Sequence, residues 1–288
     1  MAGGDRDVKI TNRDKPFWPG GFTKGDLIDY YEAVAGVMVP HLTARPITLR
    51  RWPEGIGGQT FFQKNAPKHR PDWMGTVHLG DVDYLRIDEP AALVWAANSA
   101  AIEIHPGLAR DPQLDCPTAL VLDLDPGEGS DILTCCRVAL IIRAYLDQLG
   151  LAAWPKTSGS KGLQLYLPLN NSTTFDATRA FAESLARVAE SEHPDLITSV
   201  IEKVSRRKKV LIDWAQNAPS RTTVAVYSVR AREFPSVSTP VTWDEIEGAG
   251  SPAALQFDTA AARKRIEDRG DLMGPVLSEV QELPEFRT

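Results

Sequence analysis

The stretch Ala119–Gly129, ALVLDLDPGEG, decides how this 288-residue chain folds. Ala119, Leu120, Val121 and Leu122 are too few for a helix and carry no helical stripe, and the run stops on Pro126-Gly127, so it reads as a short buried strand. Residues i and i+2 of a strand share a face, which puts Asp123 and Asp125 side by side. Two bare carboxylates that close repel each other, and one takes up a proton unless a cation sits between them. The rest of the chain has to account for that demand.

Downstream, SDILTCCRVALIIRAYLDQLG reads as a helix capped by Ser130 or Asp131 and stopped at Gly150. A strand AAWPKT, a loop SGSKG and a strand LQLYLPL follow. After them come a helix from about Asp176 to Glu192, a strand VLIDW and a further expected strand, TTVAVYS. The order from Ala119 is strand, helix, strand, strand, helix, strand, the βαββαβ order of ferredoxin-like folds. Upstream, Thr23 caps a helix with Asp26 in its first turn. RPITLRRWP and QTFFQK read as strands joined by the Gly-rich turn PEGIGG, and ALVWAANSAAIEIH as a helix running into a strand that ends at His105. The tail holds a capped turn at TWDEI and a helix in DTAAARKRIEDRG. The expected class is α+β. An RRM/ferredoxin-like catalytic lobe (about 118–235) packs on a mixed α/β N-terminal lobe (about 1–117), and an acidic, partly helical tail (about 236–288) completes one functional unit.

With 43% apolar residues the chain can bury a sizeable core. The polar start MAGGDRDVKI is no signal h-region, and no segment approaches the ~20 apolar residues of a membrane helix. A soluble, cytoplasmic protein is expected. Cys116, Cys135 and Cys136 contain no CxxC pair, so neither a zinc site nor a disulfide framework is expected. The net charge of −6 is misleading: residues 241–288 carry ten of the 38 acids and five of the 32 bases, leaving 28 against 27 elsewhere. The bases of that remainder are clumped beside apolar strands, and local patches rather than net charge attract phosphates.

Asp213 ends the apolar run VLIDW, a setting that matches the first two aspartates. Three carboxylates at core strand ends can hold two divalent cations ~4 Å apart, the arrangement of in-line phosphoryl transfer; a lone DxD reads more readily as a pair capping a turn. In KTSGSKGLQLY, Gly159 and Gly162 allow close backbone approach, Ser158, Ser160 and loop N–H groups can cradle phosphate oxygens, and Lys161 adds a point charge. A strand follows this loop where a Walker A loop needs a helix, and an ordinary Ser-Gly hairpin is the plain alternative. Adjacent Phe61 and Phe62 point to opposite strand faces, so one can enter the core while the other stacks on a base. Gln216 and Arg230 follow Asp213, and Arg230 either neutralises phosphate or forms a surface ion pair. His105, at a strand end, reads on its own as structural.

Taken in order, RRWP, FF.K.AP, IH, VLDLDPGEG, TSGSKGL.LY.PL and DW.QN…T..YS.RAR closely resemble the polymerase domain of bacterial DNA ligase D, a member of the archaeo-eukaryotic primase superfamily. The resemblance runs from TNRDKPFWP to about Leu272 and implies a single primase-polymerase domain over 1–288. It implies a nucleotidyltransferase that uses NTPs or dNTPs, prefers ribonucleotides and manganese (or magnesium), and fills short gaps or break ends bearing a 5′-phosphate. The repair route would be non-homologous end joining or gap-filling excision. A DNA ligase, in the same or a separate polypeptide, and a Ku-type end-binding protein would be its partners, at the nucleoid, with no membrane.

Residue by residue, the resemblance makes Asp123, Asp125 and Asp213 the catalytic carboxylates that hold two metal ions. Arg50, Ser158, Ser160, Lys161 and Arg230 become triphosphate contacts, with Gln216 in the same block, and His105 falls beside the sugar and phosphates. Phe61 and Phe62 match the aromatic pair at the nascent base pair, with Lys64 close by, and Lys15 and Lys24 match the bases that hold a downstream 5′-phosphate. Gln164 stands where the family pattern SGxKGLH has a histidine on the triphosphate; glutamine donates a hydrogen bond but cannot become a cation. Arg50 stands where the family often has lysine, keeping the charge and adding a fork. Two rivals remain at this point. One is a haloacid-dehalogenase-like phosphatase with Asp123 as nucleophile, although Gly127 and RGDLMG fit it poorly. The other is a non-catalytic DNA-end-binding module.

Overall fold

A computed structural model describes residues 6–284; Glu285 and Arg287 of the acidic tail lie outside the described residues, as does the side chain of Lys203. The chain opens with α1 (Lys24–Leu42), β1 (Ile47–Arg51), β2 (Phe61–Gln63), β3 (Thr76–Leu79), β4 (Val82–Leu85) and α2 (Pro90–Asn98). It continues with β5 (Ala101–Pro106), β6 (Ala109–Arg110), β7 (Gln113–Pro117), β8 (Ala119–Pro126), α3 (Ile132–Gln148), β9 (Trp154–Thr157) and β10 (Leu163–Pro168). The remainder is α4 (Phe175–Glu192), β11 (Ile197–Thr198), β12 (Val210–Asp213), β13 (Val229–Ala231), β14 (Pro235–Val237), α5 (Trp243–Glu247) and α6 (Thr259–Arg269).

These elements group into two compact units. The first comprises residues 1–114, 222–238 and 257–271, the second 115–221, 239–256 and 272–288. Chain order alone assigns 222–235 to the catalytic lobe and 236–288 to a tail. Contacts group 222–238 with the first unit, because Ala225 N–H bonds Ile104 O on β5 and Tyr31 OH donates to Ile102 O beside Ser228. The tail is divided between both units.

In the first unit α1 begins with a reciprocal capping box between Thr23 and Asp26, which satisfies two of the otherwise orphaned N–H groups. Leu27, Tyr31, Met38 and Leu42 leave no exposed surface, and burial of each such side chain contributes about 1.5–3 kcal/mol. β1 pairs on one edge with β2 and, at Ile47, with β4, and on the other with β5. The expected strand at TTVAVYS does not form as drawn. Tyr227 adopts a positive φ of 64° in a turn, and the regular strand is Val229–Ala231.

The second unit is a five-stranded sheet in the order β11-β12-β8-β10-β9. Counted from β8, its four main strands stand fourth, first, third, second, the ferredoxin-like arrangement, with β11 added at one edge. β8 is central because ALVLDLD supplies six consecutive buried residues, Ala119 to Leu124, the pattern of a strand covered on both faces. α3, capped by Asp131, and α4, capped by Thr174, both pack against β8: the α3 residues Cys135, Val138, Ala139 and Ile142 and the α4 residues Phe181, Leu185 and Ala189 are buried. Gly162 has to be glycine, since a Cβ there would lie 2.2 Å from Leu124 O. All three cysteines are free.

Candidate active site

The sheet of the second unit carries one row of polar side chains across four strands. Asp213 on β12 pairs with Asp123 on β8, Asp123 with Gln164 on β10, and Gln164 with Lys156 on β9. Asp123, Gln164 and Lys156 are 9%, 3% and 0% exposed. Lys156 Nζ donates to Gln164 Oε1 at 2.5 Å. An ammonium has donors only, so the amide oxygen must face it and the amide NH2 turns to Asp123, to which Gln164 donates. Asp125, two residues on and less buried, extends the acidic end of the row.

Burial pushes Asp123 up to about 7, with the charge of Asp125 adding to it; the Gln164 hydrogen bond works against the rise, and Asp213 adds to it again. A displacement of that size is worth on the order of 4 kcal/mol, and a cation between the carboxylates would remove it. The donor set is hard oxygen, suited to magnesium or manganese. The chain therefore fits a divalent ion in chemistry and in charge. Among the described residues, however, no three His, Cys, Asp or Glu side chains are drawn together closely enough to enclose one. The oxygens of Asp213 are taken up locally, Oδ1 accepting from Ala215 N at 3.1 Å and Oδ2 from Gln216 Nε2 at 3.2 Å. Asn217, wholly buried, fastens this turn to β8 by bonding both Val121 N and Val121 O.

The loop after β9 closes on itself. Ser158 N donates to Gly162 O, and Ser158 Oγ accepts from Ser160 N at 3.2 Å and Gly162 N at 3.1 Å. Two of its N–H groups thus converge on the loop's own Ser158 hydroxyl, and Lys161 is exposed beside it. Gly159 has φ +64°, a conformation that favours glycine.

The first unit gathers a second set. Arg50, His105 and Arg230 all contact Glu103, a residue whose role the sequence reading missed. Glu103 is 1% exposed, and burial opposes its charge. The His105 hydrogen bond and the charges of Arg230 and Arg50 outweigh burial and hold the carboxyl well below the usual carboxylate range. Burial lowers His105 from its ordinary value despite the Glu103 hydrogen bond. Arg230 is 9% exposed, so the surface ion pair expected as its alternative is instead a buried one. The signal for Glu103 was present in IEIH, whose alternation puts residues 103 and 105 on one strand face. Lys156 was visible only as one base of a clump.

The nucleic-acid candidates divide. Phe61 and Phe62 are 46% and 56% exposed, so neither enters the core. β2 is a three-residue edge strand bonded only to β1, and both its faces are open, since the two rings that point to them are exposed. Lys64 Nζ lies 6.0 Å from the Phe62 ring centroid. Lys24 is buried, and burial lowers its affinity for a proton; Nζ donates to Thr11 O at 2.5 Å. Lys15 pairs with Glu54 at 2.8 Å.

Comparison with known proteins places these features in context. A family model described as LigD, primase-polymerase domain, matches residues 23–273. The multifunctional non-homologous end joining protein LigD of Mycolicibacterium smegmatis is 38% identical over 276 residues, covering 93% of this chain and 36% of that protein. The bifunctional non-homologous end joining protein LigD of Bacillus subtilis is 32% identical over 258 residues, 89% of this chain and 42% of that one. Among solved structures, the polymerase domain from Mycobacterium tuberculosis ligase D in complex with DNA matches with a TM-score of 0.89 at 38% identity, covering 96% of this chain and all of that one. The chain thus spans about a third to two-fifths of the length of these curated relatives.

Proposed function

The chain belongs to the LigD primase-polymerase domain family, and on that premise we propose that it is a DNA-dependent nucleotidyltransferase that extends primer ends at gaps or breaks during DNA repair. The observation that carries this reading is the row Asp213–Asp123–Gln164, with Asp125 beside it, on the sheet that also bears the Ser158–Gly162 loop and its Lys161. A carboxylate cluster next to a phosphate loop is what phosphoryl transfer needs.

Asp123, Asp125 and Asp213 would hold the divalent cations, two of them in this reading and manganese by preference, with Asp213 exchanging its contacts to Ala215 and Gln216 for that role. When bound, such cations lower the pKa of a primer 3′-hydroxyl and neutralise triphosphate charge. The chain's own groups position the substrates. Ser158, Ser160 and Lys161 take phosphate oxygens, and Arg50 and Arg230 offset the charge that builds on the leaving pyrophosphate as the 3′-oxygen attacks the α-phosphorus in line. Gln216 takes part once released from Asp213, and His105 borders the sugar. Phe61 and Phe62 offer stacking faces, Lys64 adds positive charge beside them, and Lys15 and Lys24 meet a downstream 5′-phosphate. The DNA named for the solved relative supports DNA as the substrate, and the end-joining relatives support work at broken ends; gapped or broken duplex with a 5′-phosphate, a ligase and an end-binding protein of the Ku type complete the reading.

The dehalogenase-like alternative falls with the family assignment. The presence of Asp123, Asp125, Asp213 and Lys161 supports an active enzyme over a non-catalytic end-binding module. Extension on gapped DNA, with and without a 5′-phosphate and with ribo- or deoxyribonucleotides, tests the reading. The expected result is manganese-supported incorporation that favours ribonucleotides and the phosphorylated gap; no incorporation under any of these conditions overturns it.

A further inference from the structure

Glu103 accepts three hydrogen bonds from three strands and makes a further ion pair with Arg230. Oε2 accepts from Arg50 Nη1 on β1 at 2.9 Å and from His105 Nε2 on β5 at 2.9 Å. Oε1 accepts from Ala231 N on β13 at 3.1 Å and faces Arg230 Nε at 3.2 Å. A carboxylate has about four acceptor positions; three are filled by hydrogen bonds and the Arg230 guanidinium lies beside the fourth as an ion pair. Because a carboxylate accepts only, Nε2 of His105 must carry a ring hydrogen. We infer that Glu103 is the positioning residue of the nucleotide site, bracing Arg50, His105 and Arg230 in fixed poses before a nucleoside triphosphate binds. The inference rests on the polymerase reading for what those three side chains bind.

Two accounts of Glu103 make opposite predictions. If only net charge mattered, its carboxylate would oppose the triphosphate, because it cancels one of the two guanidinium charges, and neutralising it would tighten binding. If pre-organisation matters, neutralising it releases two long side chains that must be ordered again at each binding event, and binding weakens. The fixed geometry favours the second account: Arg230 is buried, and Arg50 is held further by the face of Trp52 at 4.9 Å.

The test compares the full chain with Glu103→Gln. ATP affinity is read by calorimetry with manganese present, KM and kcat by single-nucleotide incorporation on gapped DNA, and DNA affinity separately. The expected result is an ATP Kd and KM raised about tenfold or more, with a smaller change in kcat and unchanged DNA affinity. An unchanged or tighter ATP Kd overturns the proposal, as does an equal loss of DNA affinity. Wild type that binds ATP yet incorporates nothing would sink the polymerase reading while leaving the Kd comparison valid. Should Glu103→Gln fail to fold, nitrogen NMR of His105 in the wild type decides. A ring that carries its hydrogen on Nε2, toward Glu103, supports the bracing; a neutral ring with its hydrogen on Nδ1 alone overturns it.

Discussion

Gln164 lies opposite Asp123 on the neighbouring strand, and its amide joins that buried carboxylate to the buried ammonium of Lys156. The donor-only lysine fixes which way the amide points, so Asp123 always meets an N–H. Where the family pattern has a triphosphate-binding histidine, this chain spends its glutamine inside the sheet. A hydrogen bond to a charged group is worth about 1.5–3 kcal/mol.

Gln164→Leu removes that donor. The expected result is manganese affinity lowered about tenfold at neutral pH, because Asp123 then holds its proton more firmly; isothermal titration checks it. Gln164→His should restore affinity above about pH 7, where a neutral ring both accepts from Lys156 and donates to Asp123. It should fail near pH 6, where the protonated ring offers two donors.

From these two groups, Asp123 and Glu103, the metal-free protein should be most stable at about pH 4–4.5, between their ordinary values. Asp123 has a folded pKa raised from 3.8 to about 7, so the folded state binds the extra proton and stability falls as pH rises through that window. Glu103 has a depressed folded pKa, so its contribution is present above the ordinary value of 4.5 and is lost as pH falls below it. Melting curves from about pH 2 to 9 check both limbs. Asp123→Asn should raise the metal-free Tm at pH 8, whereas added manganese should raise the wild-type Tm and leave this variant almost unmoved.

Phe61→Ala and Phe62→Ala should each leave folding stability within about 0.5 kcal/mol of wild type, since both rings are exposed. Their affinity for gapped DNA should fall by about 1–3 kcal/mol if the rings stack on bases. Thermal melts and fluorescence anisotropy separate the two effects.

The apolar run into Asp123-Leu124-Asp125 and the strand-helix alternation after it were enough to read the ferredoxin-like sheet, because a strand buried on both faces writes itself as continuous hydrophobicity. The pairing of Asp213 with Asp123 followed from the same logic. The alternation in IEIH puts Glu103 on the face of His105, but its role, like that of Lys156, was not legible. Each is a buried charge whose meaning depends on partners far away in the chain. Phe61 and Phe62 misled because alternation predicts opposite faces but not whether either face is covered, and an edge strand covers neither. The turn at Tyr227 broke an apolar run that local pattern reads as strand.

The central claim is that Asp123, Asp125 and Asp213 form the catalytic carboxylates. Single-nucleotide incorporation on a gapped, 5′-phosphorylated DNA with manganese, comparing wild type with Asp213→Ala, tests it most directly when gapped-DNA affinity is measured in parallel. The expected result is incorporation reduced at least about 10³-fold with DNA affinity within a few-fold of wild type; near-normal incorporation by Asp213→Ala would contradict the account.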